Sequence, residues 1–594
     1  MGVAVGGSWL FSPVGTDDQF TGADFSADDL LYAKTAEDFV RNEVLPRLDE
    51  IESKKEGVMP ALLKRAGELG LLMIDIPEAH GGLGLDKTTS MLVSERGALC
   101  ASFSVSWGAH TGIGTLPIVY YGTDEQKAHY LPKLATGEWL AAYALTEPGS
   151  GSDALAAKTR AVLEPDGKAY RLTGTKQFIT NAGFADVFTV FAKVDGEHFT
   201  AFIVERTAAG VSTGPEEHKL GIRGSSTRQL ILEDTRVPAD RVLGKIGQGH
   251  KIAFNILNIG RFKLGAGAVG AAKDCLSVAL DYARERKQFG QPIAKFGMIQ
   301  RKRADMAVRI YVADSMSYRT AGLMDAAAAR IDKTAADASA RLIRESIEEY
   351  TIEASVLKVF GTETLDFVAD EALQVLGGYG FTADYPVERH YRDQRINRIF
   401  EGTNEINRLI IPATLVKLIG QGRLPFGDFL GQLDRELADP AAKPAVSGDP
   451  LGLETHVAEI AKRVVAYTAR TMMERDLASL RSKQQHLEIF ANMIIDLYAV
   501  DSVVNRTRLG LGHDGIEADR LRLAMTHVFA ASANERIAGG ARRLLANEVE
   551  GEELHHHLKR LDALVPHFPI RTIAVKTEIA EALVAGGLGA VYLR

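Results

Sequence analysis

Between residues 141 and 245 the hydrophobic period of this chain drops from helical spacing to two, and returns to helical spacing afterwards. Tyr170 and Leu172, then Val187, Thr189 and Phe191, alternate with other residues, and Phe199 to Val204 reads as a further strand. Asp166-Gly167 and Asp195-Gly196 are hairpin turn signals between these runs. Short strands joined by hairpins predict an antiparallel sheet or small barrel and exclude a parallel one. The glycine runs Gly149-Ser150-Gly151-Ser152 and Gly377-Gly378-Tyr379-Gly380 are therefore not a dinucleotide fingerprint, because no strand–turn–helix unit surrounds them.

The flanking segments predict an α+β protein in four parts. A helical N-terminal domain over 26–140 carries Leu30, Ala33, Ala36 and Val40 at three- and four-residue steps. The small antiparallel β domain over 141–245 follows. A helical bundle over 246–420 comes next, with long amphipathic runs through Phe262 to Arg286, Gln300 to Met324 and Ala335 to Phe360. Leu437 to Asp449 reads as a linker, and an additional helical domain occupies 450–594. Gly108, Gly112 and Gly114 on one helix permit close packing, by another helix or by a ligand chain. His555, His556 and His557 are consecutive on a helix, point in three directions, and make no shared metal site.

Composition limits the function. A length of 594 residues with 46% hydrophobic and 25% charged residues is ordinary for a globular chain, and a net charge of −8 offers no basic field for nucleic acid. Cys100 and Cys275 sit in apolar helical patterns and read as buried thiols in a reducing compartment. No run of about twenty apolar residues predicts a membrane span. The first forty residues lack arginine and include Asp17, Asp18, Asp24, Asp28 and Asp29, unlike a transit or signal peptide. The expectation is a cytoplasmic bacterial protein.

The stretch Ile399-Phe400-Glu401-Gly402-Thr403-Asn404-Glu405-Ile406 places a carboxylate between an apolar run and a Gly-Thr turn. Such a turn presents a side chain and a backbone N–H to one small space. Glu401 reads as a general base for a carbon-bound proton, its pKa raised by an apolar pocket. The structural alternative is that Glu401 ends one helix and Thr403 caps the next.

Five motifs in chain order resemble those of the acyl-CoA dehydrogenase family. They are Pro77-Glu78 with Gly81-Gly82, Tyr143 to Asp153, Gly174 to Asn181, Glu285 to Gly290, and Gln374 to Gly380 ahead of Glu401-Gly402-Thr403. The resemblance covers about the first 420 residues. It implies FAD as cofactor and fatty acyl-CoA as substrate, desaturated to trans-2-enoyl-CoA in β-oxidation. It also implies an electron-transfer flavoprotein as electron acceptor. Glu401 would take the α-proton, its own N–H would be one donor to the thioester oxygen, and flavin N5 would accept the hydride.

The same resemblance implies the remaining roles. Tyr143, Leu145 and Thr146 would meet the flavin ring, with Phe178 and Thr180 packing and hydrogen-bonding it. Phe178 stands where the family usually has tryptophan. Ser152 would lie near the pyrophosphate and the CoA entrance. Arg286, Gln288, Phe289, Gln374, Gly377 and Gly378 would reach the FAD of a neighbouring subunit, and Thr403 and Glu405 would close over the diphosphate and adenosine side. Asn258 and Arg261 would hold the CoA portion, and Phe400 and Gly402 would border the substrate. Some relatives carry their base one residue before that arginine; here it is Gly260, which leaves Glu401 as the base.

The additional C-terminal segment is similar to the very-long-chain type and implies a homodimer. Long acyl chains follow from the same analogy and from Gly114 as a tunnel-lining residue. That type binds membranes peripherally, although this segment shows mixed charge and no clear basic amphipathic helix. Two other readings stand beside the dehydrogenase: an acyl-CoA oxidase reoxidised by oxygen, and an assembly or scaffold protein that keeps the fold.

Overall fold

The computed structural model describes residues 4–16, 19–332, 335, 337–476, 479–566, 568 and 571–587; Asp17 and Asp18 lie outside them. Helices before residue 140 enclose a core built on Phe39, Leu63, Phe103 and Trp107. Local chemistry sets their starts. The Ala27–Phe39 helix begins in a reciprocal capping box, with Ser26 Oγ accepting from Asp29 N and Asp29 accepting from Ser26 N. Thr123 and Gln126 do the same for Asp124–Thr136.

The sheet contains β1 (Ala141–Ala144), β2 (Arg160–Leu163), β3 (Ala169–Thr180), β4 (Val187–Val194), β5 (His198–Glu205), β6 (Val211–Thr213), β7 (Thr227–Pro238) and β8 (Val242–Leu243). Its order is β6-β7-β3-β2-β4-β5-β8, with β1 also paired to β4. The β2–β3 and β4–β5 hairpins turn at the Asp-Gly pairs, where Gly167, Asp195 and Gly196 have positive φ. Most pairings are antiparallel as expected, but β1 and β2 each pair with β4 in parallel. Those two contacts join strands distant in sequence, and no hairpin marks them.

The third part is built on the Gly249–Glu285, Gly297–Ala328 and Thr351–Leu376 helices, the fourth on Gly452–Asp476, Gln484–Ala518 and Arg520–Glu548. One apolar core runs through both. Buried ion pairs fasten the seam. Arg319 meets Asp501 at 2.7 Å and Arg506 meets Asp314 at 2.5 Å. Each aspartate also meets a lysine, Lys462 for Asp501 and Lys273 for Asp314, so these are networks rather than isolated pairs.

Residues 4–16, outside the four expected domains, strap the two helical parts together, with Val14 N donating to Glu459 Oε1 and the Trp9 ring 4.7 Å from Tyr498. Trp9 Nε1 and Gly7 N both donate to Glu353 Oε1, and the Phe11 ring packs edge-on against Phe426 and Phe429. The expected linker begins one residue before the Phe426–Ala438 helix ends, and Lys443 within it donates to the Ala563 carbonyl. Both cysteines are buried free thiols, but Cys100 precedes the Ala101–Gly108 helix rather than lying inside one. Among the described residues no helix is long and apolar enough to cross a membrane.

Candidate active site

Glu401 and Gly402 are consecutive residues in left-handed backbone conformation, with φ of 57° and 79°. A glutamate rarely adopts this conformation, which persists where surrounding contacts hold it. Here they do. Arg261 Nε donates to the Glu401 carbonyl at 3.1 Å, and Lys358 Nζ and Asn407 Nδ2 donate to the Gly402 carbonyl at 2.7 and 2.9 Å. The next helix, Asn404–Gly420, starts from the Thr403 hydroxyl, which accepts from Ile406 N. The capping reading of this stretch and its catalytic reading are thus compatible.

The turn aims the Glu401 carboxyl at a cavity of about 220 Å³ that Phe400, Thr180, Gly260, Gly108 and Gly112 also line. Glu401 Oε2 is buried and makes no hydrogen bond. Burial pushes the carboxyl up to about 7, against the pull of the Arg261 and Lys358 cations. An acid poised near neutrality, with an unengaged oxygen and lining an enclosed space, can accept a proton there. Gly260 supplies the room: a Cβ at that position would stand 2.5 Å from Oε2.

Two sequence motifs meet next to β3, the strand that ends at cavity-lining Thr180. Thr146 O accepts from Gln177 N, and the buried Glu147 carboxylate binds Lys176 Nζ at 2.7 Å while accepting from Lys158 N and Thr159 N. This ion pair ties the Tyr143–Asp153 segment to β3, a link that sequence reasoning did not identify. One acid, Glu147, and one base, Lys176, were the available signal. Tyr143 and Leu145, at the start of the segment, are buried, and Ser152 is exposed at its turn. A register shift in β3 puts Phe178 at φ 59° and leaves it 62% exposed, two residues before cavity-lining Thr180.

Arg261 and Asn258 face inward. Arg261 Nη1 donates to Asn258 Oδ1, and Asn258 Nδ2 donates to Thr351 Oγ1. Their polar atoms hold the Glu401 turn and the neighbouring helix.

Arg286, Gln288, Gly377 and Gly378 line a second cleft, which shares no lining residue with the Glu401 cavity. Arg286 lies over the Tyr379 ring there. Phe289 is 93% exposed and Gln374 is exposed. Glu405 stands exposed in the first turn of its helix, where the amide end favours an acid, and its carboxyl lies below the usual range through backbone and Thr403 hydrogen bonds.

Gly114 does not line the cavity. A Cβ there would meet the Ala109 carbonyl at 2.8 Å and Ala141 Cβ at 2.9 Å, so this glycine permits packing against β1. Gly108, Gly112 and Gly267 line it instead, with nothing within 4 Å of a Cβ. The expected continuous helix is interrupted by a π-helical stretch, Ala109–Gly114, which changes which glycines face the space. Lys358 also escaped the sequence reading. Its signal was a lone lysine between Leu357 and Val359 in the apolar run Val356–Phe360. His557 Nδ1 lies 2.6 Å from the Tyr467 hydroxyl, and among the described residues no cluster of metal-binding side chains occurs.

Family models for acyl-CoA dehydrogenase N-terminal, middle and C-terminal domains match residues 26–138, 142–235 and 247–416. A further acyl-CoA dehydrogenase C-terminal model matches 460–562. A probable acyl-CoA dehydrogenase of Bacillus subtilis is 47% identical over 582 residues, covering 98% of each chain. The human very long-chain specific acyl-CoA dehydrogenase is 37% identical over 83% of this chain and 76% of its own. A crystal structure of an acyl-CoA dehydrogenase complexed with FAD from Bacillus anthracis superposes with a TM-score of 0.96, at 48% identity, covering 98% of this chain and 99% of that one. With motifs, geometry and whole-length similarity in agreement, the chain belongs to the acyl-CoA dehydrogenase family.

Proposed function

We propose that this protein dehydrogenates long-chain fatty acyl-CoA to trans-2-enoyl-CoA, with Glu401 as the base and FAD as cofactor. The observation that carries the reading is the unengaged Glu401 Oε2, buried at the cavity with its carboxyl raised toward neutrality. Glu401 removes the α-proton. Its backbone N–H is one donor to the thioester oxygen, where negative charge develops as that proton leaves. Arg261 and Lys358 fix the backbone carbonyls on either side of the Glu401–Gly402 bond, so the base keeps one orientation.

The residues present fit FAD. Phe178 offers an open aromatic face beside Thr180. Gly149, Gly151, Gly377 and Gly378 have nothing within 4 Å of a Cβ, which leaves their backbone open to close approach. Bound FAD supplies the acceptor for the β-hydride, which no side chain can provide. Tyr143, Leu145, Thr146, Ser152, Phe178, Thr180, Thr403 and Glu405 would hold it in this subunit.

The separate cleft supports a homodimer. Arg286, Gln288, Gly377 and Gly378 lie apart from the Glu401 cavity, and exposed Phe289 and Gln374 accompany them. Such a group serves a neighbouring subunit's cofactor. Room beside Gly108, Gly112 and Gly267 supports long chains. An electron-transfer flavoprotein is the proposed acceptor, β-oxidation in the cytoplasm the proposed setting, and contact with membranes is peripheral. Anaerobic titration of the yellow holoprotein with acyl-CoAs of increasing length tests the reading. Bleaching that is strongest with long chains is expected; no bleaching by any acyl-CoA removes it. Hydrogen peroxide formed during aerobic turnover would assign an oxidase instead.

A further inference from the structure

We propose that Lys358 is a positioning residue for the base: its buried ammonium holds the Glu401–Gly402 turn in its left-handed conformation and sets the pH at which Glu401 is ionised. The inference rests on Glu401 acting as the base. Lys358 is 0% exposed on the Thr351–Leu376 helix and donates to Gly402 O at 2.7 Å and Asn404 Oδ1 at 2.6 Å. Arg261 holds the preceding carbonyl from the opposite helix. Two cations therefore grip two successive carbonyls of a backbone segment that a glutamate would not adopt unaided.

Asn404 continues the connection, donating through Nδ2 to Thr362 Oγ1 and Glu363 Oε1. A hydrophobic side chain at 358 would leave the Asn404 carbonyl oxygen and one lone pair of Gly402 without this donor.

The ammonium also acts on charge. Burial pushes Lys358 down to about 7, while Glu401 pulls it up; Lys358 and Arg261 in turn pull Glu401 down. The other charged groups acting on Lys358 include Arg261 on the Gly249–Glu285 helix, Glu363 on the same helix as Lys358, and Glu405 on the following one. Tyr143 faces Glu401 from β1, held neutral by burial and by that carboxylate. Removing the ammonium takes away one of the two cations, Arg261 and Lys358, that act against burial on Glu401.

The test compares Lys358→Met, Lys358→Gln and Lys358→Arg holoenzymes with the wild type. Flavin reduction by a long-chain acyl-CoA is followed anaerobically against pH. Independently, the Glu401 carboxyl is titrated by infrared difference spectroscopy, using Glu401→Gln to assign its band. Lys358→Gln keeps a donor without charge, so the acidic limb of the rate profile should move up by about one pH unit with the plateau rate retained. Lys358→Met should show the same shift and a plateau about tenfold lower. Lys358→Arg should keep the limb near its wild-type position. The infrared titration should shift with the rates. If the Glu401 titration is unchanged in the glutamine variant, Lys358 does not tune the base, whether or not the methionine variant folds. If the wild type is not bleached by acyl-CoA, the dehydrogenase reading fails, and the infrared titration alone judges the influence of Lys358 on Glu401.

Discussion

Gly260 and Glu401 share one space. A Cβ on Gly260 would lie 2.5 Å from Glu401 Oε2 and 2.8 Å from its carboxyl carbon. The glycine on one helix and the base on a distant turn are complementary: the side chain absent from the first is the volume used by the second.

Gly260→Ala is therefore expected to displace the base while keeping the fold. Alanine favours the helix interior by about 1 kcal/mol over glycine, so the Gly249–Glu285 helix should not suffer. A displaced carboxyl loses alignment with the α-carbon, and the rate of flavin reduction should fall by about tenfold or more. Stopped-flow reduction of FAD-replete variant, with its melting temperature as control, checks this. An unchanged reduction rate would mean that the carboxyl can swing aside without loss.

Glu401→Gln should retain FAD and bind acyl-CoA but lose reduction on the order of 10²–10⁴-fold, the usual contribution of a general base. Wild-type reduction should need the ionised form and fall on the acid side of about pH 7. The residual rate of the variant should lack that limb. Single-turnover rates from pH 5 to pH 9 would read both features, and near wild-type reduction by the glutamine variant would falsify the mechanism.

The four-part order, the Asp-Gly hairpins and the turn at Glu401-Gly402-Thr403 were readable because each is set by local chemistry: hydrophobic period and turn residues. What was not readable depends on packing between distant segments. The parallel pairings of β1 and β2 with β4 have no turn of their own to announce them. Lys358 stands out only as a lysine in an apolar run, and its role emerges when the Gly402 and Asn404 oxygens are brought to it from forty-odd residues away. Asn258 and Arg261 were expected to hold the CoA portion; besides each other, they bond Thr351 and Glu401 on other elements, which one helical segment cannot reveal.

The raised carboxyl also has a consequence for stability. The folded protein holds a proton on Glu401 more tightly than the unfolded chain, with values of about 7 against 4.5. Below the unfolded value the side chain is protonated in both states and the difference is silent. As pH rises toward 7 the folded state becomes relatively less stable, and above it the full destabilisation is present. Discounted for partial exposure and for reorganisation, this amounts to about 2 kcal/mol. Glu401→Gln should thus melt higher than the wild type at pH 8 and near it at pH 4.5. Equal melting temperatures at pH 8 would show that the carboxylate is solvated in the folded protein.

Two nearby glycines should respond in opposite ways. Gly112 lines the cavity with nothing within 4 Å of a Cβ, so Gly112→Leu adds bulk where an acyl chain would run. It should leave stability within about 0.5 kcal/mol, or raise it through helix propensity. Its kcat/KM should fall for long acyl-CoAs, with short ones spared. Gly114, two residues on, stands against the Ala109 carbonyl and Ala141 of β1. Gly114→Ala should cost about 1–3 kcal/mol through overpacking, without a selective change in chain length. The pair separates a tunnel wall from a packing contact by two measurements on each variant, melting temperature and the ratio of kcat/KM for long and short substrates. Loss of long-chain preference in Gly114→Ala alone would return the tunnel wall to Gly114 and place Gly112 outside the acyl path.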